Sequence, residues 1–178
     1  MLEKPNFYSV IIGTELLNGR RKDAHFAFIN QQLLSRGWEQ KASFVINDDT
    51  NLMENIFNLI KNDPNSVMFC FGGIGATPDD YTRVVAGKVF TSGAMEFHEE
   101  AKTRIINQFA DEAYPHRINM AYLPINAKLL KNVVNNVAGF YLEDRFFFTP
   151  GFPSMSQAMV IEALDKLYPK SDIQKYRK

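Results

Sequence analysis

The chain has 178 residues, and its 20 basic side chains balance 20 acidic ones, so the net charge at pH 7 is zero. This balance argues against a protein that holds nucleic acid by neutralising phosphates, because such proteins carry a basic excess or a dense basic face. With a hydrophobic fraction of 46%, the length predicts one ordinary globular domain. We place that domain at residues 1–168, followed by a charged C-terminal tail at residues 169–178.

Neither a membrane segment nor a disulfide is expected. No apolar run approaches the ~18 residues that a spanning helix needs, and Tyr8–Ile12 is too short for the core of a signal peptide. The single cysteine, Cys70, has no partner for an internal disulfide or for a cysteine-based zinc site. We therefore expect a cytoplasmic protein in a reducing compartment, with no membrane partner.

Strand and helix patterns alternate over the first half of the chain. In order, the predicted elements are a strand at Phe7–Ile12, a helix that begins at Asp23 and closes at Gly37, a strand at Ala42–Ile46, a helix that Asp48 or Asp49 caps and Pro64 ends, and a strand at Val67–Phe71. This alternation is typical of β-α-β crossovers and predicts a mainly parallel sheet with helices on both faces.

The second half is less regular. Helices are predicted at Thr77–Phe90, Glu96–Ala113 and Ser154–Tyr168, with a loop-rich stretch at Pro115–Gly139 and a hairpin of strands Gly139–Leu142 and Arg145–Thr149. The hairpin would turn at Glu143-Asp144, and the final helix would precede the charged tail.

The most informative stretch is a glycine loop, Gly72-Gly73-Ile74-Gly75, which follows the third strand. In open α/β sheets, ligands bind in the crevice at the carboxyl ends of the strands. Glycines allow positive φ angles and a close approach of the backbone to a ligand, and their N–H groups form a cradle for an anion. The spacing matches neither the dinucleotide fingerprint nor the P-loop.

Two aspartates behind the glycine loop have two interpretations. In the first, Thr77 caps a helix, Pro78 takes the first helical position, and Asp79 and Asp80 complement the helix dipole. In the second, the carboxylates face a bound phosphate, a repulsion of up to ~4 kcal/mol. A divalent cation bridging both groups would remove that repulsion, and capping and metal binding can coexist.

Other loops fall at the same predicted edge of the sheet. The loop after the first strand carries Arg20 and Arg21, which either neutralise phosphate oxygens or belong to a solvated turn. After the second strand, one of Asp48 and Asp49 caps a helix, and the other is available to a ligand. A stiff turn, Pro150-Gly151-Phe152-Pro153, follows the last strand.

These motifs resemble a known family. The matching segments are Gly13-Thr14-Glu15-Leu16-Leu17-Asn18-Gly19, Gly72-Gly73-Ile74-Gly75-Ala76-Thr77-Pro78-Asp79-Asp80-Tyr81-Thr82, the Leu123-Pro124 region with its following Asn, and Pro150-Gly151-Phe152-Pro153. Their order and types are similar to those of the MoaB/Mog-like molybdopterin-binding domain. They are closer to the N-terminal domain of the competence-damage protein CinA and to the corresponding half of eukaryotic FAD synthase, and closest to a small stand-alone CinA-like branch.

The resemblance implies a three-layer α/β/α sandwich with a mainly parallel central sheet, assembled into a dimer or trimer. It also implies a phosphate-bearing nucleotide or molybdopterin as the ligand. In the family, Asp80 would be the functional carboxylate and Asp48 a supporting one, and Mg²⁺, Mn²⁺ or Co²⁺ would bind Asp48, Asp79 and Asp80. The expected substrate-binding residues are Gly13, Glu15, Arg20, Arg21, His25, Gly72, Gly73, Ile74, Gly75, Thr77, Thr82, Pro150 and Gly151.

One departure concerns His25. CinA-type sequences have Thr-Asn after the first loop, whereas this chain has Asp23-Ala24-His25. A histidine one turn into a helix is either a packing or capping residue, or a group whose pKa suits proton transfer or ligand contact. Both interpretations stay open at this point.

Two functions of different classes follow. In the first, the protein is a metal-dependent hydrolase of ADP-ribose-like or FAD-like pyrophosphates, in which Arg20, Arg21 or Arg83 would stabilise the phosphate oxygens. In the second, it is a non-catalytic module that binds a pterin or nucleotide phosphate. Transfer of adenylate to molybdopterin is a narrower third option, which we rank lower because the motifs follow the CinA branch more closely.

Overall fold

The computed structural model of the protein describes residues 1–170, so residues 171–178 of the expected tail lie outside the described part. The strands are β1 (Asn6–Ile12), β2 (Gln40–Ile46), β3 (Ser66–Phe71), β4 (Met95–Phe97), β5 (Tyr122–Pro124), β6 (Lys128–Leu130), β7 (Gly139–Leu142) and β8 (Phe146–Thr149). The helices are α1 (Thr14–Leu17), α2 (His25–Leu34), α3 (Thr50–Lys61), α4 (Thr82–Phe90), α5 (Glu99–Phe109) and α6 (Pro153–Leu167), with 3-10 turns at Ala110–Ala113 and Arg117–Ala121.

The central sheet has the strand order β2-β1-β3-β8-β7-β6. The first four strands of that order run parallel, whereas β7 and β6 each run antiparallel to their neighbours. The turn between β7 and β8 has positive φ angles at both Glu143 and Asp144, which matches the twist of a two-residue hairpin. The mainly parallel sheet and the predicted hairpin are confirmed, and β4 and β5 form a separate antiparallel pair.

Alternate residues of the buried strands supply cores on both faces of the sheet, because successive side chains of a strand point to opposite sides. On one face, Met68 and Cys70 of β3 pack with Phe57 of α3. On the other face, Phe69 and Phe71 of the same strand belong to the core that contains residues of α2 and α6. The three-layer architecture is therefore confirmed, and burying each such Phe stabilises the fold by roughly 1.5–3 kcal/mol.

One predicted cap is present, and the helix predicted to run from Asp23 to Gly37 is shorter, since α2 spans His25–Leu34. The Asp49 side chain accepts a hydrogen bond from the Leu52 amide (2.8 Å) and so begins α3. Asp23 accepts from the amides of His25 (2.8 Å) and Phe26 (2.9 Å), which satisfies donors at the start of α2.

The helix predicted at Thr77–Phe90 is wrong at its start, since α4 begins at Thr82. The Asp80 carboxylate accepts from the Thr77 amide (2.9 Å) and hydroxyl, and the Asp80 amide donates back to the Thr77 carbonyl (3.1 Å). These bonds close a turn, which local aspartate hydrogen bonding favours over helix. Thr77 is therefore not a helix cap, and Asp79 and Asp80 do not lie in the first turn of α4.

Three further boundaries differ from the sequence predictions. The stretch expected to be helical from Glu96 contains β4 and begins its helix at Glu99, because the His98 ring accepts from the Ala101 amide (3.3 Å) as an N-cap. The helix ends at Phe109, and a 3-10 turn follows. The expected loop at Pro115–Gly139 contains β5 and β6, strands of three residues each that are too short to show a period.

Within residues 1–170, no helix has the length and apolar character needed to cross a membrane.

Candidate functional site

A cleft of about 370 Å³ lies where the parallel strands end, at the edge of the sheet that the sequence predicts for ligand binding. Its walls come from Gly13, Glu15 and Arg21 after β1, Asp48 after β2, Gly72–Thr77 with Asp79 and Asp80 after β3, and Pro150–Phe152 after β8. The volume is within the range of small-molecule sites. Four loops that are far apart in the sequence therefore meet in one place.

The glycine loop presents unpaired backbone donors to this cleft. The N–H groups of Gly73, Ile74, Gly75 and Ala76 have no acceptor within hydrogen-bonding distance among residues 1–170. Buried or half-buried amides without an internal partner normally bind water or a ligand. Successive N–H groups in a turn can make an anion-binding concavity, and these four residues line the cleft.

Thr82 holds the glycine turn from behind. Its hydroxyl donates to the Gly72 carbonyl (2.9 Å), and its amide donates to the Gly73 carbonyl (3.0 Å). Gly73 has φ +72°, and a Cβ there would lie 2.1 Å from the Thr82 hydroxyl oxygen, so only glycine fits. Thr82 is fully buried and does not line the cleft. Its place indicates a role in shaping the loop rather than contacting a ligand.

Arg83 also supports the loop and does not line the glycine-loop cleft. Its Nη1 donates to the carbonyl of Gly75 (2.7 Å) and to that of Ile74. The side chain is buried, and this burial lowers the pKa of the guanidinium, although the nearby Asp80 carboxylate acts in the opposite direction. The suggestion that Arg83 stabilises phosphate oxygens in that cleft is not supported by its position.

Four carboxylates line the cleft: Glu15, which pairs with Arg21, and the three aspartates that the sequence predicts there, Asp48, Asp79 and Asp80. One oxygen of Asp48 accepts from the Thr14 hydroxyl (2.8 Å), which ties the loops after β1 and β2 together. Asp80 Oδ2 accepts from the Thr77 amide (2.9 Å), and Asp79 Oδ1 lies 2.7 Å from the Thr77 hydroxyl. Each aspartate thus keeps one oxygen that has no donor among the described residues.

These oxygens fit a hard divalent cation only in part. Among residues 1–170, no group of three or more His, Cys, Asp or Glu side chains is close enough to hold a metal ion by itself. Mg²⁺ typically uses one or two carboxylates and completes its octahedron with water and phosphate oxygens. The donor set therefore suits a cation that arrives with an anionic ligand, with Asp80 and Asp48 as the protein's contribution.

The opposite wall of the cleft is an ion pair anchored to the Pro150–Phe152 turn. Arg21 lies 3.5 Å from Glu15, donates to the Gly151 carbonyl (2.8 Å), and places its guanidinium 5.6 Å from the centre of the Phe152 ring. Phe152 is 60% exposed and was not singled out from the sequence, although it lies inside the Pro150–Pro153 motif. A large exposed aromatic ring at a cleft suits stacking on a flat heterocycle.

His25 lies behind this wall and not in the cleft. Its ring stacks on Phe71 at a centroid distance of 4.3 Å, and its Nε2 lies 3.0 Å from the Gly151 carbonyl. Because a carbonyl only accepts, Nε2 carries the proton, and the buried Nδ1 has no partner among the described residues. Burial lowers the pKa of His25, outweighing the opposing effects of Gly151 and Asp23. This geometry favours the packing interpretation over ligand contact.

Arg20 is exposed and also lies outside the residues that line the cleft. The expected site residues that do line it are Gly13, Glu15, Arg21, Asp48, Gly72, Gly73, Ile74, Gly75, Thr77, Asp79, Asp80, Pro150 and Gly151. A larger cleft, of about 610 Å³, lies at the opposite edge of the sheet, beside Asn6 and Lys41. We place the candidate site at the glycine loop because the unpaired amides are there.

Comparison with known proteins identifies the family of this chain. Residues 9–169 match the family model described as a probable molybdopterin binding domain. A Pyrococcus furiosus protein is 31% identical in an alignment of 179 positions, which covers 93% of this chain and 71% of that protein. A CinA-like protein of Geotalea uraniireducens is 33% identical in an alignment of 162 positions, which covers 86% of this chain but only 37% of that relative.

Solved structures show the same relationship. The CinA protein of Thermoplasma acidophilum, described as of unknown function, superposes with a TM-score of 0.80 at 25% identity, covering 90% of this chain and 97% of that one. The molybdopterin biosynthesis enzyme MoaB of Thermus thermophilus gives a TM-score of 0.59 at 14% identity, covering 93% and 92%, a likeness of fold alone. This chain therefore belongs to the family of probable molybdopterin binding domains, on its CinA-like branch.

Proposed function

We propose that this protein binds a nucleotide or a pterin by a phosphate group, which the glycine loop holds against its free amides. The observation that carries the proposal is the run of unpaired N–H groups from Gly73 to Ala76 in the wall of the cleft. Backbone donors of this kind bind phosphate without any further chemistry. The description of the family, molybdopterin binding, supports a pterin as one form of the organic part.

The rest of the cleft suits the organic part of such a ligand. Phe152 offers an exposed ring, and Arg21 is held in place by Glu15 and by the Gly151 carbonyl. A planar heterocycle stacked on Phe152 would leave its phosphate near the positive charge of Arg21. Stacking of a base on an aromatic ring contributes about 1–3 kcal/mol, which adds to the binding of the phosphate.

A second candidate function, hydrolysis of a pyrophosphate bond, is supported by Asp48 and Asp80 in the same cleft. With a phosphate on the loop amides, their free oxygens would face a site of high negative charge. A divalent cation, when bound, would neutralise that charge and make a water molecule more acidic. The protein's own part is to fix the phosphate, to hold the two carboxylates through Thr77 and Thr14, and to keep Arg21 beside the anion.

Binding is tested by titrating the purified protein with AMP, ADP-ribose and FAD in a calorimeter and by following its melting temperature. A ligand of the folded state at 100 times its Kd stabilises the protein by about 2.7 kcal/mol. Saturable binding by at least one of these probes is the expected result. The absence of both heat and stabilisation with all of them, and with a pterin phosphate, would contradict the proposal.

Hydrolysis is tested with the same nucleotides in the presence of Mg²⁺, Mn²⁺ or Co²⁺. We expect Asp80→Asn to lower turnover about 100-fold or more, the scale on which loss of a reacting group's proton or charge acts. Asp111→Asn, which removes a carboxylate from the exposed 3-10 turn at Ala110–Ala113, is the matched control. Binding without any product in the wild-type protein would instead identify a non-catalytic module.

The assembly implied by the family resemblance stays a prediction. Sedimentation of the purified protein distinguishes the expected dimer or trimer from a monomer.

A further inference from the structure

A second cleft, of about 500 Å³, lies on the other side of the glycine loop. It is lined by Ala76, Thr77 and Pro78 of the loop, by Arg83 of α4, and by His116 and Asn119 at the 3-10 turn Arg117–Ala121. The two clefts share Ala76 and Thr77, which therefore form the wall between them. Among the described residues, no Asp or Glu side chain lines this second cleft.

The charge in this cleft belongs to Arg83, which is only 8% exposed. Its Nη1 donates to the carbonyls of Ile74 and Gly75, but Nε and Nη2 have no acceptor among residues 1–170. No carboxylate lies within salt-bridge distance of it in that part of the chain. Asp80 acts on this guanidinium only from beyond salt-bridge distance, so Arg83 keeps unused donors that face no directly paired carboxylate.

The remaining polar groups of the cleft fit the same kind of ligand. Asn119 and His116 are exposed side chains that can donate hydrogen bonds. A guanidinium presents donors in a rigid fork that matches the oxygens of a phosphate. Because carboxylates line only the glycine-loop cleft, an anion entering the second cleft meets no like charge in its walls.

We infer that the cleft between the glycine loop and the Arg117–Ala121 turn is a second anion-binding site, in which Arg83 and Asn119 hold a phosphate group. The occupant is either free phosphate or a further phosphate of a nucleotide whose first phosphate lies on the loop amides. This inference goes beyond the proposed function, because the second site requires only Arg83 and its own cleft. The two sites are in contact through the loop, because Arg83 donates hydrogen bonds to the Ile74 and Gly75 carbonyls.

The test is to soak crystals with selenate, a tetrahedral anion that can be located by its anomalous scattering, and separately with ADP. We expect selenate beside Arg83 as well as on the amides of Gly73–Ala76. If selenate alone reaches Arg83, the occupant is a free anion, whereas the β-phosphate of ADP at Arg83 identifies the nucleotide as the source. The inference is overturned if neither selenate nor a phosphate of ADP lies within hydrogen-bonding distance of Arg83.

The variant Asn119→Asp tests the assignment while leaving Arg83 free to support the loop. It introduces a carboxylate into the wall of the second cleft, where it competes with an anion for the guanidinium. We expect selenate to disappear from Arg83 and to remain on the loop amides, with calorimetric titration of inorganic phosphate showing one site fewer than in the wild type. Selenate that persists at Arg83 in this variant would overturn the role given to the cleft.

Asn107→Asp is the matched control, because Asn107 is an exposed residue of α5 that lines neither cleft. It makes the same change of charge and should leave both anion positions occupied. The two proposals also fail separately. Selenate at Arg83 without selenate on the loop supports the second site and counts against the proposed function, whereas the reverse pattern overturns only the second site.

Discussion

The two ends of the central sheet use similar polar residues in opposite ways. At the amino ends of the strands, Asp63 accepts hydrogen bonds from Asn6 (2.9 Å), Tyr8 (2.8 Å), Lys41 (3.1 Å) and the Asn65 amide (3.0 Å). At the carboxyl ends, the amides of Gly73, Ile74, Gly75 and Ala76 have no acceptor among the described residues, and Asp48, Asp79 and Asp80 each keep an oxygen with no donor there.

The difference separates stability from binding. Burial would raise the pKa of Asp63, but hydrogen bonds from Tyr8, Asn65, Asn6 and Lys41 outweigh it and lower that pKa to about 2. A carboxylate satisfied in this way stabilises the fold and has little capacity left for a ligand. The glycine loop lacks such internal hydrogen bonds at several of its amides, and these unsatisfied donors are available to bind a phosphate. Substitutions at the two ends should therefore have separable effects.

The largest effect is expected from Gly73→Ala at the binding end. The added Cβ would overlap the Thr82 hydroxyl at 2.1 Å, so the turn must move and its amides lose their alignment. We expect nucleotide affinity to fall about 100-fold, equivalent to about 2.7 kcal/mol, as measured by calorimetry. Gly93→Ala is the control, because Gly93 has a similar φ of +81° but open space around the Cβ. Equal affinities of the two variants would contradict the role of the loop.

Asp63→Asn should destabilise the fold at the amino ends of the strands. An amide in place of the carboxylate loses its charge and cannot accept from all of its present donors. A fall in folded-state pKa from 3.8 to about 2 corresponds to about 2 kcal/mol of stability. We expect a loss of that size at pH 7 in urea unfolding, with nucleotide affinity unchanged. If Asp63→Asn unfolds like the wild type but binds nucleotide more weakly, the assignment of Asp63 to stability rather than to binding is wrong.

The pH dependence gives an independent check on Asp63. Because its pKa is lowered in the folded state, its stabilising contribution is present above pH 4 and is lost as the pH falls toward 2. The difference in unfolding free energy between the wild type and Asp63→Asn should therefore shrink over that range. A difference that stays constant from pH 7 to pH 2 would show that the charge of Asp63 is not what stabilises the fold.

The smallest effect is expected from His25→Phe, which tests whether His25 belongs to the ligand-binding residues. Phenylalanine keeps the stacking on Phe71 but loses the hydrogen bond to the Gly151 carbonyl, which Arg21 still contacts. We expect a loss of about 0.5–1.5 kcal/mol of stability in urea unfolding and less than a threefold change in nucleotide affinity. A tenfold or larger change in affinity would show that His25 contacts the ligand after all.

His25 should also make the stability depend on pH, in this case because its ring is buried rather than because hydrogen bonds favour its charged form. Its folded-state pKa is lowered by burial, so the unfolded chain takes up a proton first as the pH falls below about 6.5. Wild-type stability should decline with falling pH below that value, and this part of the decline should be missing in His25→Phe.

Much of the site follows from local patterns. The strands that precede Gly13, Asp48, Gly72 and Pro150 were recognisable as apolar or alternating runs before turn residues, and parallel strands bring such ends to one edge. The start of α4 was not predictable, because Thr77-Pro78-Asp79-Asp80 has the composition of a helix N-terminus. Only the contact of Asp80 with Thr77 decides that it forms a turn. Arg83 and His25 likewise read as candidate ligand groups, and their burial becomes visible only once the layers are packed.

The sequence by itself determined the α/β class, the family, and the loops that carry glycine and carboxylate, since these depend on residue type and short spacing. The tertiary structure decided which donors and acceptors remain free. Asp63 and Asp80 are the same type of residue, but Asp63 meets donors from the starts of β1 and β2, whereas Asp80 faces an open cleft. Hydrogen-bonding capacity is a property of the assembled neighbours, and no local pattern records which partners the packing brings within reach.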